Sequence, residues 1–484
     1  MASRSPMRWR STVTSDTQKT ALGRRARRRP SASQPPEPSM PETLDDLAAD
    51  LAAGRTDSVR LVEGALERAR ASEAVFIMLM PESALAEAHA ARRRWADGRP
   101  LSRHDGIPIA WKDLFDIAGT RTSAGSRTRD AAEPAKVDAP VVAATRRLGF
   151  IPIGKTNLSE FAFSGLGANP HFGTPTAGFP GVEPRMPGGS SCGSAVAVQR
   201  GIVPVAIGTD TAGSVRVPAA FTGCVGYKSS QARYDMAGVF PLARSLDSLG
   251  PLAGSMADCM TMDAAMRGLA APTPRPAPAE LIVDDALLDG PAVTAPVRTH
   301  FDEVLARLSR HVPIRRQRID AWHRARDAIA ALGWLGAYEA RQLHLDVLTG
   351  PQRALIDTRV ASRLDGAARI SAEVAAELVA IRAREMQRLR TELGDAVLIL
   401  PTVKHLPPPL APLEADPARF AEVNVATLAL TMIASFLDMP SVALPTGWTP
   451  DGLPLSTQLC AVSGADDRLL TQAIWAEQIL PGRS

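Results

Sequence analysis

Cysteine is scarce in this chain of 484 residues, and long apolar runs are missing. The four cysteines are widely spaced and form no CxxC pair, which argues against a disulfide framework or a zinc site and favours a reduced, cytoplasmic setting. No window of about eighteen apolar residues occurs, so we expect no membrane-spanning helix. With 45% apolar residues, the chain is still long enough to bury a large core.

Acidic residues are almost missing from the N-terminal segment. Residues 1–29 carry nine Arg or Lys against one Asp, a charge of +8, whereas the whole chain carries +4, so the remainder carries −4. The remainder therefore gives no electrostatic reason to expect a nucleic-acid partner. The segment also has no apolar run, so residues 1–41 are predicted to form a disordered basic tail. A transit peptide, or a true start at Met40, explains the same composition.

Helical and strand patterns alternate from about residue 43 onwards. Apolar residues first recur at three- and four-residue steps, and the period then changes to short buried runs such as GIPIAW and FIPIG. This alternation predicts an α/β fold. Residues 270–400 instead predict long amphipathic helices outside the sheet. Because strand patterns return near the C-terminus, we expect one domain over residues 42–480, with a helical substrate-side insertion at about 270–400.

The stretch PGGSSCGSA, residues 187–195, admits three interpretations. A phosphate loop of the Walker type requires a lysine that does not follow here. The segment GSSCG matches the nucleophile elbow G-x-S-x-G with Ser191 as nucleophile, but the proline-rich residues before it contain no strand to launch the elbow. A flexible glycine and serine loop is the third interpretation.

A second small-residue cluster, IGTDTAGSVRVPAAF, places Ser214 after a short strand. The small residues Ala212 and Gly213 allow backbone N–H groups to approach a reacting carbonyl, as an oxyanion hole requires. A nucleophilic serine there needs a base, and none of the eight histidines lies in a recognisable catalytic setting. A lysine is the other candidate for the base.

Two lysines follow strand-like apolar runs: Lys112 in GIPIAWKDLFD and Lys155 in FIPIGKTN. Burial lowers a lysine pKa, and a lowering from about 10.4 to about 7.5 costs roughly 4 kcal/mol, which the fold must supply. A neutral lysine can accept a proton from a serine. Spacing alone does not separate the two lysines, and the physical argument favours Lys112 only slightly.

Four stretches resemble the amidase signature family in kind, order and approximate spacing. They are GIPIAWKDLFDIAGTRTSAGS, IPIGKTNLSEFA, PGGSSCGSAVAV and GTDTAGSVRVPAAFTGCVGYK. The similarity runs from about residue 43 to residue 475, and GWTPDGLPLSTQL resembles the family's C-terminal segment. The resemblance implies a single large α/β domain whose central mixed β-sheet is covered by helices on both sides.

Members of that family use a Ser–cis-Ser–Lys triad, and the resemblance implies where it would lie in this chain. Ser214 would be the nucleophile, Ser190 the bridging serine and Lys112 the base. Ser190 would follow a cis peptide bond after Gly189, which implies a proton-relay role for the first serine of the pair.

The resemblance also implies supporting positions around the triad. The oxyanion hole would use the backbone N–H groups of Thr211, Ala212 and Gly213. The other supporting residues are Gly189, Ser191, Asp210 and Arg216, the last two as braces of the turn. Two positions depart from the family pattern, since Cys192 and Ala212 stand where glycine is usual. If that glycine is left-handed, Ala212 would distort the hole; Cys192 is expected to be structural rather than nucleophilic.

The function implied is hydrolysis of a small-molecule carboxylic amide through a serine acyl-enzyme, without a cofactor or a metal. An alternative is the A subunit of a tRNA-dependent glutamyl/aspartyl amidotransferase, which works with partner subunits. A catalytically silent homologue is a third hypothesis, motivated by Ala212. A homodimer is the default expectation for a soluble enzyme of this kind.

Overall fold

The computed structural model describes residues 42–270, 272–273, 276–278, 280–289 and 293–480; the tail predicted to be disordered, residues 1–41, lies outside them. Within the described residues, eleven β-strands form one sheet. They are β1 (Phe76–Leu79), β2 (Pro108–Lys112), β3 (Ile151–Thr156), β4 (Val205–Asp210), β5 (Val225–Lys228), β6 (Ser248–Ala253), β7 (Leu281–Val283), β8 (Ile314–Arg316), β9 (Val397–Pro401), β10 (Ser441–Trp448) and β11 (Pro454–Cys460).

The strand order across the sheet is β1-β3-β2-β4-β6-β5-β10-β11-β9-β7-β8. β2 runs parallel to β3 and β4, and β7 runs parallel to β8 and β9. The remaining neighbours are antiparallel. The sheet is therefore mixed, and strands from both ends of the described chain join it, as the sequence predicted.

Seventeen α-helices in the described part of the chain accompany the sheet. They are α1 (Leu44–Ala52), α2 (Ser58–Arg70), α3 (Pro81–Ala96), α4 (Pro140–Arg147), α5 (Cys192–Gln199), α6 (Arg216–Thr222), α7 (Met256–Met266), α8 (Ala295–Leu308), α9 (Asp320–Leu332), α10 (Leu335–Leu343), α11 (Leu345–Thr349), α12 (Thr358–Gly366), α13 (Ala372–Leu393), α14 (Leu410–Ala415), α15 (Pro417–Leu428), α16 (Thr431–Phe436) and α17 (Asp466–Ile479).

Both faces of the sheet are covered by helices. Successive side chains of a strand point to opposite faces, and on β2 they enter two different apolar clusters. Ile109 and Trp111 pack in a cluster with residues of α7, whereas Ala110 packs in another with residues of α2 and α5. The predicted α/β fold with a central mixed sheet is confirmed.

The region 270–400 is mostly helical, as predicted, but not entirely. The sequence of residues 325–343 has the continuous pattern of one amphipathic helix, whereas α9 ends at Leu332 and α10 begins at Leu335. Gly333 interrupts them with a φ of 98°, a value that favours glycine. The region also contributes β7 and β8 to the sheet, and at three residues each these strands are too short to give a recognisable pattern.

The topology brings two of the predicted site segments to one edge of the sheet. β2 and β4 are parallel neighbours, so their carboxyl ends lie side by side. β2 ends at Lys112 and β4 ends at Asp210, which leads into the turn that contains Ser214.

All four cysteines are buried free thiols, and no helix in the described residues is long and apolar enough to cross a membrane.

Candidate active site

Lys112 is a buried amine surrounded by hydroxyl groups. Its Nζ lies 2.7 Å from Ser190 Oγ and 2.8 Å from Thr209 Oγ1. Burial lowers the pKa of Lys112 to about 7, although the nearby Cys192 and Asp210 act in the opposite direction. Among the ion pairs of the described residues, none includes Lys112. The amine can therefore be neutral near pH 7 and accept a proton from a hydroxyl.

Lys155, the competing candidate, has a different environment. Its Nζ lies 2.7 Å from Asp113 Oδ1 and donates to Thr122 Oγ1 at 2.8 Å and to the carbonyl oxygen of Arg121 at 2.9 Å. Burial lowers the pKa of Lys155, and the Asp113 carboxylate opposes that change. The amine of Lys155 forms an ion pair with a carboxylate, whereas that of Lys112 hydrogen-bonds only to hydroxyl groups among the described residues. This difference distinguishes the two lysines, which sequence spacing could not do.

Ser190 follows a cis peptide bond with Gly189 and is completely buried. Its carbonyl oxygen accepts from the N–H of Ser159 at 3.2 Å, and the N–H of Gly189 donates to the carbonyl oxygen of Gly165 at 2.8 Å. A Cβ on Gly189 would lie 2.5 Å from the backbone nitrogen of Gly167. Only glycine therefore fits before Ser190 while the loop keeps this path.

Ser191 connects the two serine-bearing turns. Its N–H donates to the carbonyl oxygen of Ser214 at 3.2 Å, and its Oγ donates to the carbonyl oxygen of Thr209 at 3.3 Å. It directly precedes α5, and its carbonyl oxygen accepts from the N–H of Ala195. The residue that a nucleophile-elbow motif selects thus has its hydroxyl on the backbone of β4, which suits the supporting role implied for it.

The turn around Ser214 is braced by a buried ion pair. Arg216 and Asp210 are both fully buried, with Nη2 to Oδ1 at 2.9 Å and Nε to Oδ2 at 3.0 Å. The same carboxylate accepts from the N–H groups of Gly213 at 2.7 Å and Val215 at 3.1 Å. Burial alone would raise the pKa of Asp210, but Arg216, the charge of Lys228 and the N–H of Val215 lower it to about 2. The pair therefore fixes both sides of Ser214.

The two N–H groups that precede Gly213 are left open. Those of Thr211 and Ala212 have no acceptor among the described residues, whereas Gly213, implied as a third oxyanion donor, uses its N–H on Asp210. Of the three N–H groups implied for the oxyanion hole, those of Thr211 and Ala212 are therefore free and that of Gly213 is not. Thr211 is buried and Ala212 is half-buried. A buried N–H without an acceptor is uncommon, and two open N–H groups beside a serine can bind a developing negative charge.

Ala212 does not take a left-handed conformation. Positive φ in this turn falls on Gly213, at 136°. A Cβ on Gly213 would lie 2.2 Å from Thr431 Oγ1, the hydroxyl that donates to the carbonyl oxygen of Ala212 at 2.7 Å. The glycine that the turn requires is present, so the distortion considered for Ala212 does not arise.

Cys192 is buried beside Lys112 as the first residue of α5. Burial raises the pKa of its thiol to about 12, although the neighbouring Lys112 lowers it. A thiol of this pKa is not a thiolate near neutral pH and is a poor nucleophile.

Sequence reasoning missed three polar residues that hold the site. Thr209 contacts Lys112, Thr431 contacts Ala212, and Asp247 accepts from Thr211 Oγ1 at 2.6 Å. Thr209 lies one residue before the predicted brace Asp210 and could have been found from its strand position. The other two come from distant parts of the chain, and nothing local marks them.

The class of protein is α/β, and in it a buried lysine contacts a serine loop that lies beside a second turn bearing a serine. The family model named Amidase matches residues 60–287. The chain is 31% identical over 402 residues to the 2-amino-5-chloromuconic acid deaminase of Comamonas testosteroni, covering 79% of this chain and 83% of that protein. A solved structure titled "Crystal structure of amidase" superposes with a TM-score of 0.81 at 30% identity, covering 91% of this chain and 100% of that one.

The chain belongs to the amidase family. It also resembles the A subunit of the glutamyl-tRNA(Gln) amidotransferase of Ralstonia nicotianae, with 44% identity over 230 residues. That alignment covers 47% of this chain and 45% of the relative, so the similarity spans about half the length of such proteins. The alignment with the amidotransferase subunit spans 230 residues, whereas the alignment with the deaminase spans 402.

Proposed function

We propose that this protein hydrolyses a carboxylic amide through an acyl-enzyme on Ser214, with Ser190 as proton relay and Lys112 as base. The observation that carries the proposal is the buried amine of Lys112, which lies 2.7 Å from Ser190 Oγ and has a pKa lowered to about 7. A base of this pKa is suited to proton transfer near neutral pH.

The first half of the reaction forms an ester. The hydroxyl proton of Ser190 passes to Nζ of Lys112, and Ser190 takes the proton of Ser214. The Ser214 oxygen bonds to the amide carbon as the carbonyl electron pair moves to oxygen. Thr211 and Ala212 donate their N–H groups to that oxygen. The proton returns through Ser190 to the amide nitrogen, the C–N bond breaks, and ammonia or an amine leaves.

The second half of the reaction consumes water. Water loses a proton along the same relay and attacks the ester carbon, and the oxygen again accepts from Thr211 and Ala212. Collapse of this intermediate breaks the bond to Ser214, which regains a proton from Lys112 through Ser190. The products are a regenerated site and a carboxylic acid, which then ionises by giving its remaining proton to solvent, so atoms and charges balance without a cofactor or a metal.

The helical region 270–400 is proposed to form the substrate side of the domain over 42–480. The loop that follows β3 reaches Ser190 through the N–H of Ser159. A few residues further on, the same loop contacts the helical region: Phe161 stacks on His344 with ring centroids 4.0 Å apart, and Glu160 Oε2 accepts from the N–H of Asp357 at 2.6 Å. The loop after β3 therefore contacts both Ser190 and the helical region 270–400.

A stand-alone hydrolase is favoured over the A subunit of an amidotransferase by coverage. The chain covers 83% of the deaminase relative but only 45% of the amidotransferase relative. The amidotransferase alternative predicts that partner subunits co-purify with the protein when it is isolated from its native host, and that hydrolysis of glutamine occurs only in that complex. A chain that hydrolyses amides when expressed alone excludes the alternative.

The proposal is tested by measuring ammonia release from a panel of aliphatic, aromatic, urea-like and glutamine amides. The wild type is expected to release ammonia from at least one class, and Ser214→Ala is expected to release none. Ser191→Ala is the matched control, because it removes a neighbouring hydroxyl that donates to a backbone carbonyl. If Ser214→Ala keeps wild-type activity while Ser191→Ala loses it, the nucleophile has been assigned wrongly.

A further inference from the structure

The turn before β6 contains a buried carboxylate whose charge raises the pKa of Lys112 and which no step of the mechanism uses directly. Asp247 is 5% exposed. Its Oδ2 accepts from the N–H of Leu242 at 2.9 Å, and its carboxylate also accepts from the N–H of Ala243 at 3.1 Å. These bonds close the turn over residues 242–247.

Asp247 also reaches outside its own turn. Its Oδ1 accepts from Thr211 Oγ1 at 2.6 Å, and the next residue, Ser248, donates its Oγ to the carbonyl oxygen of Asp210 at 2.7 Å. Asp247 and Ser248 therefore hydrogen-bond to the two residues at which the Ser214 turn begins. Asp247 bonds to Thr211, and Ser248 bonds to the residue before it. A short bond to a charged acceptor is stronger than one between neutral groups.

The residues held in this way carry the open donors. The N–H of Thr211 and that of Ala212 have no acceptor in the described chain. The far side of the same turn is fixed separately, by Asp210 through Gly213. Because an N–H direction follows from backbone dihedrals, an anchor on the Thr211 side chain controls where its N–H points. Misplacing a donor by a fraction of an ångström weakens an oxyanion hole.

We propose that Asp247 is a positioning residue of the oxyanion hole, acting through the hydroxyl of Thr211 on the two open N–H groups. The inference rests on the proposed hydrolysis at Ser214. Asp247 does not touch substrate in this account, and its acceptor positions are filled by Thr211, Leu242 and Ala243. It therefore affects the transition state, in which charge develops on oxygen, and leaves binding of the neutral amide nearly unchanged.

The test compares Asp247→Ala and Thr211→Val, which remove opposite partners of one hydrogen bond, with their double mutant. Each single variant is expected to lower kcat by about 10- to 100-fold with KM within about threefold of wild type. The double mutant is expected to lose little more than either single variant, because both remove the same contact. Thr211→Ser keeps the hydroxyl and is expected to retain activity close to wild type.

Asp258→Asn is the matched structural control. Asp258 is also a buried carboxylate that accepts from a distant backbone N–H, that of Leu44 at 2.9 Å, and it has no contact with the Ser214 turn. We expect this variant to keep the wild-type kcat. An equal loss of kcat in Asp258→Asn, or a loss in Asp247→Ala that Thr211→Val does not share, would show that Asp247 acts only on the fold.

A readout besides turnover separates the inference from the proposed function. Labelling by a fluorophosphonate reports whether Ser214 reacts, and affinity for a boronic acid reports whether the hole binds an oxyanion. We expect Asp247→Ala to remain folded by circular dichroism and to bind the boronic acid at least about tenfold more weakly. Wild-type affinity and kcat in this variant would overturn the inference alone. A wild-type protein that neither hydrolyses amides nor reacts at Ser214 would overturn the proposed function and the inference with it.

Discussion

The buried amine of Lys112 makes the free energy of unfolding depend on pH. Burial lowers the pKa of Lys112 from 10.5 to about 7 in the folded protein. Between these two values the unfolded chain binds a proton that the folded chain does not, so unfolding becomes more costly as pH rises from about 7 to about 10.5. At 1.36 kcal/mol for each pKa unit, the full difference is roughly 5 kcal/mol. Stability from this residue is thus lost as pH falls through that window.

Lys112→Met isolates this contribution, because methionine fills similar space and carries no proton. The variant loses the contacts of Nζ with Ser190 and Thr209, which costs roughly 1 to 3 kcal/mol. It gains roughly 5 kcal/mol near pH 7 by removing the cost of keeping the amine neutral. We therefore expect Lys112→Met to be inactive and yet more stable than wild type by about 2 to 4 kcal/mol near pH 7.

Urea unfolding of wild type and Lys112→Met at about pH 7 and about pH 10 measures this effect. The other titrating groups are common to the two proteins, so their contributions cancel when one unfolding free energy is subtracted from the other. The difference in unfolding free energy is expected to change by about 4 kcal/mol in favour of wild type over that range. A difference that does not vary with pH would refute the reasoning, because folding would then release no proton from Lys112.

Three further predictions concern the turn, the thiol and the pH profile. Gly213→Ala should abolish amide hydrolysis because its Cβ would lie 2.2 Å from Thr431 Oγ1, whereas Gly201→Ala, at positive φ in open space, should cost about 1 kcal/mol in thermal unfolding and no activity; an active Gly213→Ala would contradict this. Cys192→Ser should remain active and iodoacetamide should not inactivate wild type, since burial raises the pKa of the thiol to about 12; rapid inactivation that Cys192→Ser abolishes would contradict it. The kcat/KM profile should rise with a single proton through about pH 7 as Lys112 becomes neutral; a flat profile there would mean that another group is the base.

Much of the fold could be predicted because its patterns are local. Buried runs such as that of β2 and a capped amphipathic helix such as α13, with Ser371 at its N-cap, have clear periods. The sequence did not reveal β7 and β8, which owe their strand conformation to pairing with β9 and with each other at the edge of the sheet. The break at Gly333 was also missed, because one glycine within a helical pattern does not by itself end a helix.

The contacts around the predicted site residues could not be predicted from the sequence, for a related reason. Lys112 and Lys155 follow similar strands, and they differ only in what the fold places beside them: hydroxyl groups for one and the Asp113 carboxylate for the other. The anchors Asp247 and Thr431 lie far along the chain from the turn they hold. Contacts of this kind depend on tertiary packing, which a single sequence does not display.

The central claim is that Ser214 is a nucleophile activated through Ser190 by a neutral Lys112. Its most direct test is reaction with a fluorophosphonate, followed by mass spectrometry of the modified peptide and by the labelling rate as a function of pH. We predict a label on Ser214 that is absent in Ser214→Ala, forms far more slowly in Lys112→Met, and slows in wild type below about pH 7. A label on another residue, or equal labelling rates in wild type and Lys112→Met, would contradict the account.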